Sequence, residues 1–194
     1  MDLLKKYKVS WHGDIEFSKD LVLKICIFGD VNVGKNELLR AYVPEMFNKQ
    51  KKPPMCINIA VKNLIINSTK VTLQIWILGS ELSFKFIFPA FTRGASGGIF
   101  MYDITKYSSL RNIEDWLIAF KESLSDDKKE IPILMVGGKL DLHKERVISR
   151  KYAKKISKKY KIVKNFECSS KTGENMEKIF KFLTRYIIKF EGYA

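Results

Sequence analysis

Apolar residues in this chain come in short runs separated by polar, glycine-bearing or charged stretches. Leu21–Phe28 is apolar at every position but Lys24, the pattern of a strand covered on both faces. Gly97–Tyr102 and Ile131–Val136 read the same way. Cys56–Ile66 and Val71–Ile77 are two further strand-like runs, and the polar Asn67-Ser68-Thr69-Lys70 between them predicts a hairpin. Other segments change period. Asn36–Tyr42 opens as a helix after a glycine-rich loop, and Ser108–Leu124, Ser149–Tyr160 and Glu174–Phe190 repeat at three and four residues. In the last, Met176, Ile179, Phe180, Leu183, Tyr186 and Ile187 form one buried stripe. Strands that alternate with helices predict an α/β fold, a mostly parallel sheet with helices on both faces. Ligands of such folds bind at the carboxyl ends of the strands. Asn48–Pro54 (NKQKKPP) reads as a polar loop.

At 194 residues the chain can build one domain with a full core, and 46% apolar content argues against disorder. No apolar run approaches the roughly 20 residues of a membrane span. The start of the chain mixes charged and apolar residues, unlike a secretory signal. Cys26, Cys56 and Cys168 are far apart and odd in number, which suggests reduced thiols rather than a disulfide frame or a zinc site. Lys and Arg number 35 against 21 Asp and Glu, a net charge of +14, so polyanions are favoured partners. Residues 144 to 164 carry ten basic side chains against Glu145 alone. They read either as a solvated helix face, with Tyr152, Ile156 and Tyr160 toward the core, or as a weak docking surface for acidic lipid or an acidic protein. No nucleic-acid reading motif accompanies the charge.

The candidate chemistry starts directly after the first strand. Gly29-Asp30-Val31-Asn32-Val33-Gly34-Lys35-Asn36 follows the phosphate-loop pattern G-x-x-x-x-G-K-[ST] except at its last position. A glycine turn between strand and helix aims backbone N–H groups at one point, and the helix N-terminus adds its dipole. Lys35 supplies a point charge for the terminal phosphates. These parts do not depend on Asn36. The metal does, because a Ser or Thr hydroxyl there ordinarily ligates Mg²⁺. An amide oxygen can ligate, but its size and reach differ, and Mg²⁺ demands near-ideal octahedral geometry. The expectation is weakened metal binding through Asn36. Glu37 suits the helix dipole but would repel a phosphate beside it.

Four more stretches, in order, extend the pattern: Leu73-Gln74-Ile75-Trp76, the run Arg93–Thr105 (RGASGGIFMYDIT), Gly138-Lys139-Leu140-Asp141 and Glu167-Cys168-Ser169-Ser170-Lys171. Together they resemble the small GTPases of the Ras superfamily, nearest in wording to the Rab branch, over about Leu21 to Phe190. The resemblance implies a P-loop NTPase of the Ras-like type with a mostly parallel six-stranded sheet. The domain would span residues 21–190, with an extension at 1–20 and a short tail at 191–194. It further implies GTP or GDP as ligand, with Mg²⁺ weak. Phosphate would be held by residues 29 to 37: Gly29, Asp30, Val31, Asn32, Val33, Gly34, Lys35, Asn36 and Glu37. Guanine would be held by Gly138, Lys139, Asp141, Ser169, Ser170 and Lys171. Asp141 stands where the family's carboxylate accepts from guanine N1 and the exocyclic amine, which adenine cannot match. That weighs against an ATP-using kinase. Gly138 stands where the family has Asn, so one polar contact is lost.

The resemblance also shows what has changed. Pro54 falls where a Thr grips the metal and the terminal phosphate, and proline can do neither. Ile77 falls where an Asp orients the metal. Ser80 replaces the glycine that senses the terminal phosphate, and Glu81 replaces the water-positioning Gln. Glu81 is thus the one catalytic candidate, although a carboxylate beside a triphosphate is repelled. Val31 crowds the path of an attacking water or an arginine finger. The expectation is a guanine-nucleotide binder with slow or absent hydrolysis, or alternatively a nucleotide-free interaction module on the same fold. Met55, Ile57, Ile59, Trp76, Phe84, Phe86, Ile87 and Phe88 form the expected partner surface, part of it core. The chain ends Phe190-Glu191-Gly192-Tyr193-Ala194 without cysteine, so no lipid anchor is expected there. A cytoplasmic monomer, peripheral to membranes at most, is the expectation.

Overall fold

The computed structural model describes residues 20–44, 58–79, 82–124 and 130–193, with the side chains of Leu82 and Phe84 outside that description. Six strands form one sheet: β1 (Leu21–Phe28), β2 (Asn58–Ile66), β3 (Thr69–Ile77), β4 (Gly97–Asp103), β5 (Ile133–Gly138) and β6 (Lys164–Glu167). Their order across the sheet is β2-β3-β1-β4-β5-β6. All neighbours run parallel except β2 and β3, which are antiparallel. The helices are α1 (Lys35–Tyr42), α2 (Phe88–Thr92), α3 (Ser108–Arg111), α4 (Ile113–Glu122), α5 (Arg150–Lys159) and α6 (Met176–Phe190). Tight 3₁₀ turns at Leu82–Ile87 and Leu140–Glu145 join them. On one sheet face Leu38, Leu39 and Tyr42 of α1 meet Ile179, Phe180, Leu183 and Ile187 of α6, with Tyr42 stacked on Phe180 at 4.0 Å. On the other, Trp116, Leu117 and Phe120 of α4 pack with Phe28, Phe100 and Phe88.

The six-stranded α/β fold is as the sequence pattern and the resemblance implied. Several boundaries differ, each for a local reason. The hairpin turn is only Asn67-Ser68, both at positive φ (47° and 68°), the signature of a tight two-residue turn, so β3 begins at Thr69 rather than Val71. The helix expected over Ser108–Leu124 is broken at Asn112, whose ψ of 14° leaves α3 and α4 separate. β5 starts and ends two residues later than its apolar run. Gly137 permits this, because a Cβ there would lie 2.8 Å from Ile104 and Tyr102 side-chain atoms. α6 begins at Met176 rather than Glu174, because Asn175 takes φ 62°. β6, only four residues and one buried side chain, carries too little pattern to stand out from sequence. Of the strand expected over Cys56–Ile66, residues 56 and 57 lie outside the described residues.

Candidate functional site

The carboxyl ends of β1 and β5 bring the two glycine-bearing loops together. Behind β1, Gly29 takes φ 135°, and a Cβ there would meet the Met101 carbonyl oxygen at 2.3 Å, so only glycine fits. Gly34 (φ 100°) is the N-cap of α1, and its carbonyl accepts from Leu38 N at 2.8 Å. Asn32 also sits at positive φ (62°), which asparagine tolerates better than most residues. Lys35 is almost fully buried. Its Nζ donates to the carbonyl oxygens of Gly29 (2.6 Å) and Asp30 (2.8 Å), so the loop wraps its own lysine. Burial lowers the Lys35 ammonium to about 8, and Asp30 and Glu37 only partly offset this. Asp30 is itself tied down: Trp116 Nε1 donates to its Oδ1 at 2.6 Å, and Asn112 Nδ2 to its Oδ2 at 3.4 Å.

The second loop follows β5. Gly138 packs against the phosphate loop, where a Cβ would fall 2.7 Å from the Val33 carbonyl oxygen. Lys139 turns at φ 64°, and its Nζ pairs with buried Asp103 at 2.6 Å, leaving its stem to border the cleft. Asp103 also accepts from Thr105 N and Oγ1 at 2.8 and 2.7 Å. Ser169 donates to Asp141 Oδ1 at 2.6 Å, and its own oxygen accepts from Lys171 N and Thr172 N. Asp141 is thus held on one oxygen. Leu140 N donates to the Cys168 carbonyl at 2.9 Å, which fastens the two base-side loops together. Burial pushes the thiols of Cys26 and Cys168 up to about 12, so neither is a nucleophile.

One cleft of about 470 Å³ joins the loops. It is lined by Asn32, Val33, Gly34 and Glu37 from the first, and by Gly138, Lys139, Asp141, Leu142, Ser170 and Lys171 from the second and its neighbour. The remaining expected site residues lie elsewhere. Ser169 is fully buried behind Asp141 and orients it rather than facing the cleft. Gly29 and Asp30 hold Lys35 from behind, and Val31 points outward at 52% exposure. Asn36 is not among the residues that line the cleft; its Oδ1 accepts from Nδ2 of Asn58, the first residue of β2, at 2.6 Å. Ile77 is buried in the core. Pro54, Met55, Ile57, Ser80 and Glu81 lie outside the described residues, as does the Phe84 side chain. Trp76, expected at a partner surface, is half-buried: Lys24 Nζ lies 4.0 Å from its ring centroid, and Phe91 packs beside it. Phe88 is core and Phe86 is exposed. Asn58, Asp103, Asn112 and Trp116 escaped sequence reasoning. Only Asp103 lay within a quoted motif; the others act through contacts distant in the chain.

A family model described as "Ras family" matches residues 24–189. The chain belongs to the Ras family. Within it the chain is Rab-like. It is 32% identical over 174 residues to Ras-related protein Rab-7a of Dictyostelium discoideum, covering 89% of this chain and 86% of that protein. It is 30% identical to Ras-related protein Rab7 of Drosophila melanogaster (91% and 85% covered) and 31% identical to Ras-related protein Rab-13 of Rattus norvegicus (89% and 83%). The matched region of this Ras-family chain includes both loops that wall the cleft. Among its described residues no helix is long and apolar enough to cross a membrane.

Proposed function

We propose that this Ras-family chain binds guanine nucleotides, GDP or GTP, with little dependence on Mg²⁺ and slow or absent hydrolysis, and acts through protein partners. The single observation that carries the reading is the cleft: the phosphate-loop turn and Asp141 line one continuous space. The residues present fit a nucleotide. Asp141 Oδ2 would accept from a purine bearing adjacent N–H donors, the Lys139 stem would border the base, and the backbone N–H groups around Gly34 and the start of α1 would receive the phosphates. Mg²⁺ fits poorly. The Asn36 oxygen is engaged by Asn58, and Ile77, where the resemblance expects a carboxylate, is apolar and buried. Val31, exposed on the loop, supports the loss of assisted hydrolysis, because by the resemblance a branched side chain there would crowd the approach to the terminal phosphate.

The apolar side chains that the fold leaves outward on the β1–β3 sheet face, Val22, Ile59 and Val61, together with Phe86, support an effector or regulator surface. On α5, Lys151, Lys154, Lys155 and Lys158 are exposed around one shallow depression of about 490 Å³ and support weak contact with acidic lipid. We place the protein in the cytoplasm as a monomer, peripheral to membranes at most. One observation favours a second reading, a nucleotide-free interaction module: Lys35 is already satisfied by carbonyls of its own loop.

The test is the thermal midpoint with GDP, GTP or ATP, each with Mg²⁺ or EDTA, after removal of any bound nucleotide. A ligand at about 100 times its Kd adds roughly 2.7 kcal/mol, a rise of about 5–10 °C for a domain of this size. The expected result is a rise with GDP and GTP but not ATP, alike in Mg²⁺ and EDTA. A rise that needs Mg²⁺ would overturn the metal reading, and no rise at all would overturn the nucleotide reading and leave the interaction module as the better one.

A further inference from the structure

We propose that an amide pair, Asn36 with Asn58, takes the place of the divalent cation in tying the phosphate-loop helix to the first residue of β2. The inference rests on the nucleotide reading only for its metal arm. Two positions carry it. The resemblance assigns the metal to residue 36, at the start of α1, and to residue 77, at the end of β3. Here Ile77 offers no ligand atom, and the Asn36 oxygen is already turned to another partner. Asn36 Oδ1 accepts from Asn58 Nδ2 at 2.6 Å, and Ile77 is 4% exposed within the core. Asn58 stands between the two. Its side chain binds Asn36, while its backbone is the ladder partner of Ile77 across the β2–β3 hairpin. A cation at this corner would join helix, strand end and ligand through oxygen ligands. The amide pair joins helix and strand end directly and competes with a cation for the Asn36 oxygen.

This arrangement has a consequence for how the protein responds to ligand. Elsewhere the segment before β2 is ordered through the metal and the terminal phosphate. With the helix already bonded to Asn58, β2 keeps its register at its first residue in the absence of either. The chain is therefore set in one state at this corner, and exchange of GDP for GTP moves β2 little. An exposed amide–amide bond is weak singly, but it is intramolecular and holds two elements the sheet has already placed side by side, so little further ordering is needed to form it.

The experiment has two arms. In the first, without nucleotide and in EDTA, amide hydrogen exchange is followed at Ile59, Ala60 and Val61. Asn36→Ala and Asn58→Ala should each speed exchange about fivefold, the scale of one hydrogen bond. The double variant should be no faster than either single one. Asn58→Asp, which can accept from the Asn36 amide after that group rotates, should keep exchange within about twofold of the parent. Additive effects of the two alanines, or no effect of either, would overturn the proposal, and so would an Asp variant as fast as the alanine. In the second arm, with GDP bound, exchange at the same amides and the rate of GDP release should be the same in Mg²⁺ and EDTA. Slowing of either by Mg²⁺ would overturn the claim that the pair replaces the ion. Should GDP fail to bind, the nucleotide reading falls and the first arm still decides the pair.

Discussion

Restoring the family residue at position 138 should harm this protein. Gly138→Asn returns the Asn that the resemblance expects in the guanine motif, so a simple reading predicts tighter nucleotide binding. The geometry predicts the opposite. A Cβ on residue 138 would lie 2.7 Å from the Val33 carbonyl oxygen, with Met101 Cε at 3.5 Å and the Tyr102 carbonyl at 3.6 Å. The two loops must part by about 0.7 Å to restore ordinary contact at 3.4 Å, and the close neighbour is backbone rather than a flexible side-chain end. Overpacking of this kind costs about 1–3 kcal/mol. For a domain of this size that lowers the thermal midpoint by roughly 2–12 °C. Val33 and Gly138 both line the cleft, so the displaced loop should also weaken GDP, about two- to twelvefold if half of that cost falls on the bound state. Gly138→Ala carries only the Cβ and should show most of the stability loss. The assay is thermal unfolding of both variants with and without GDP, alongside a GDP titration. A higher midpoint or tighter GDP in Gly138→Asn would refute the claim that the loops have closed onto each other.

Two further outcomes follow from the charges. A phosphate beside Lys35 favours its ammonium form, while burial lowers the free protein's pKa to about 8. Above about pH 8 binding must therefore take up a proton, so GDP affinity should be flat below about pH 7 and fall toward tenfold per pH unit above 8. In the nucleotide-free protein the sign reverses. The fold disfavours the charged lysine, so stability should rise between about pH 8 and the unfolded value near 10.4. Calorimetric titrations in buffers of different ionisation heat read the proton directly, and a flat affinity profile to about pH 9.5 would contradict this account of the loop. The lysines of α5 should draw the protein to vesicles of anionic lipid at low salt, each adding on the order of 1 kcal/mol. Changing Lys151, Lys154, Lys155 and Lys158 together to Glu should abolish sedimentation with those vesicles and leave the thermal midpoint nearly unchanged. Equal binding to zwitterionic vesicles would exclude the electrostatic mechanism.

The sheet and the cleft were legible in the sequence because both are written locally. β1 announces itself by a nearly unbroken apolar run, and the glycine loop by residues that only a tight strand-to-helix turn requires. Asp141, Lys139, Ser170 and Lys171 could be placed because they sit inside short motifs. What escaped was written in pairs far apart. Asp30 looks like an ordinary loop carboxylate until Trp116, on a helix beyond β4, donates to it. Ser169 looks like a ligand-facing residue until its hydroxyl is found buried on Asp141. Asn112 breaks a helix that periodicity makes continuous, and it does so beside Asp30. No window of sequence contains both members of any of these pairs.

The same pairs bear on whether the site is an eroded one. Random loss of a metal site would leave side chains without employment: an amide in solvent, an apolar residue on the surface, a glycine beside a gap. Of the four replaced positions that can be seen, Val31 is such an exposed apolar residue, and the other three are not like that. Asn36 is bonded to Asn58, Ile77 is packed in the core opposite it, and Gly138 admits the Val33 carbonyl to a distance no side chain would allow. Burying Ile77 contributes about 1.5–3 kcal/mol, where an unpaired carboxylate in the same place would cost several. The departures fit one another better than any of them fits the ion. Single reversions should therefore fail, since each restored residue meets neighbours arranged for its replacement. Recovery of metal dependence would require Asn36→Ser, Pro54→Thr and Ile77→Asp together. A single reversion that restored Mg²⁺-dependent GDP binding without loss of stability would show the positions to be independent, and the site merely worn.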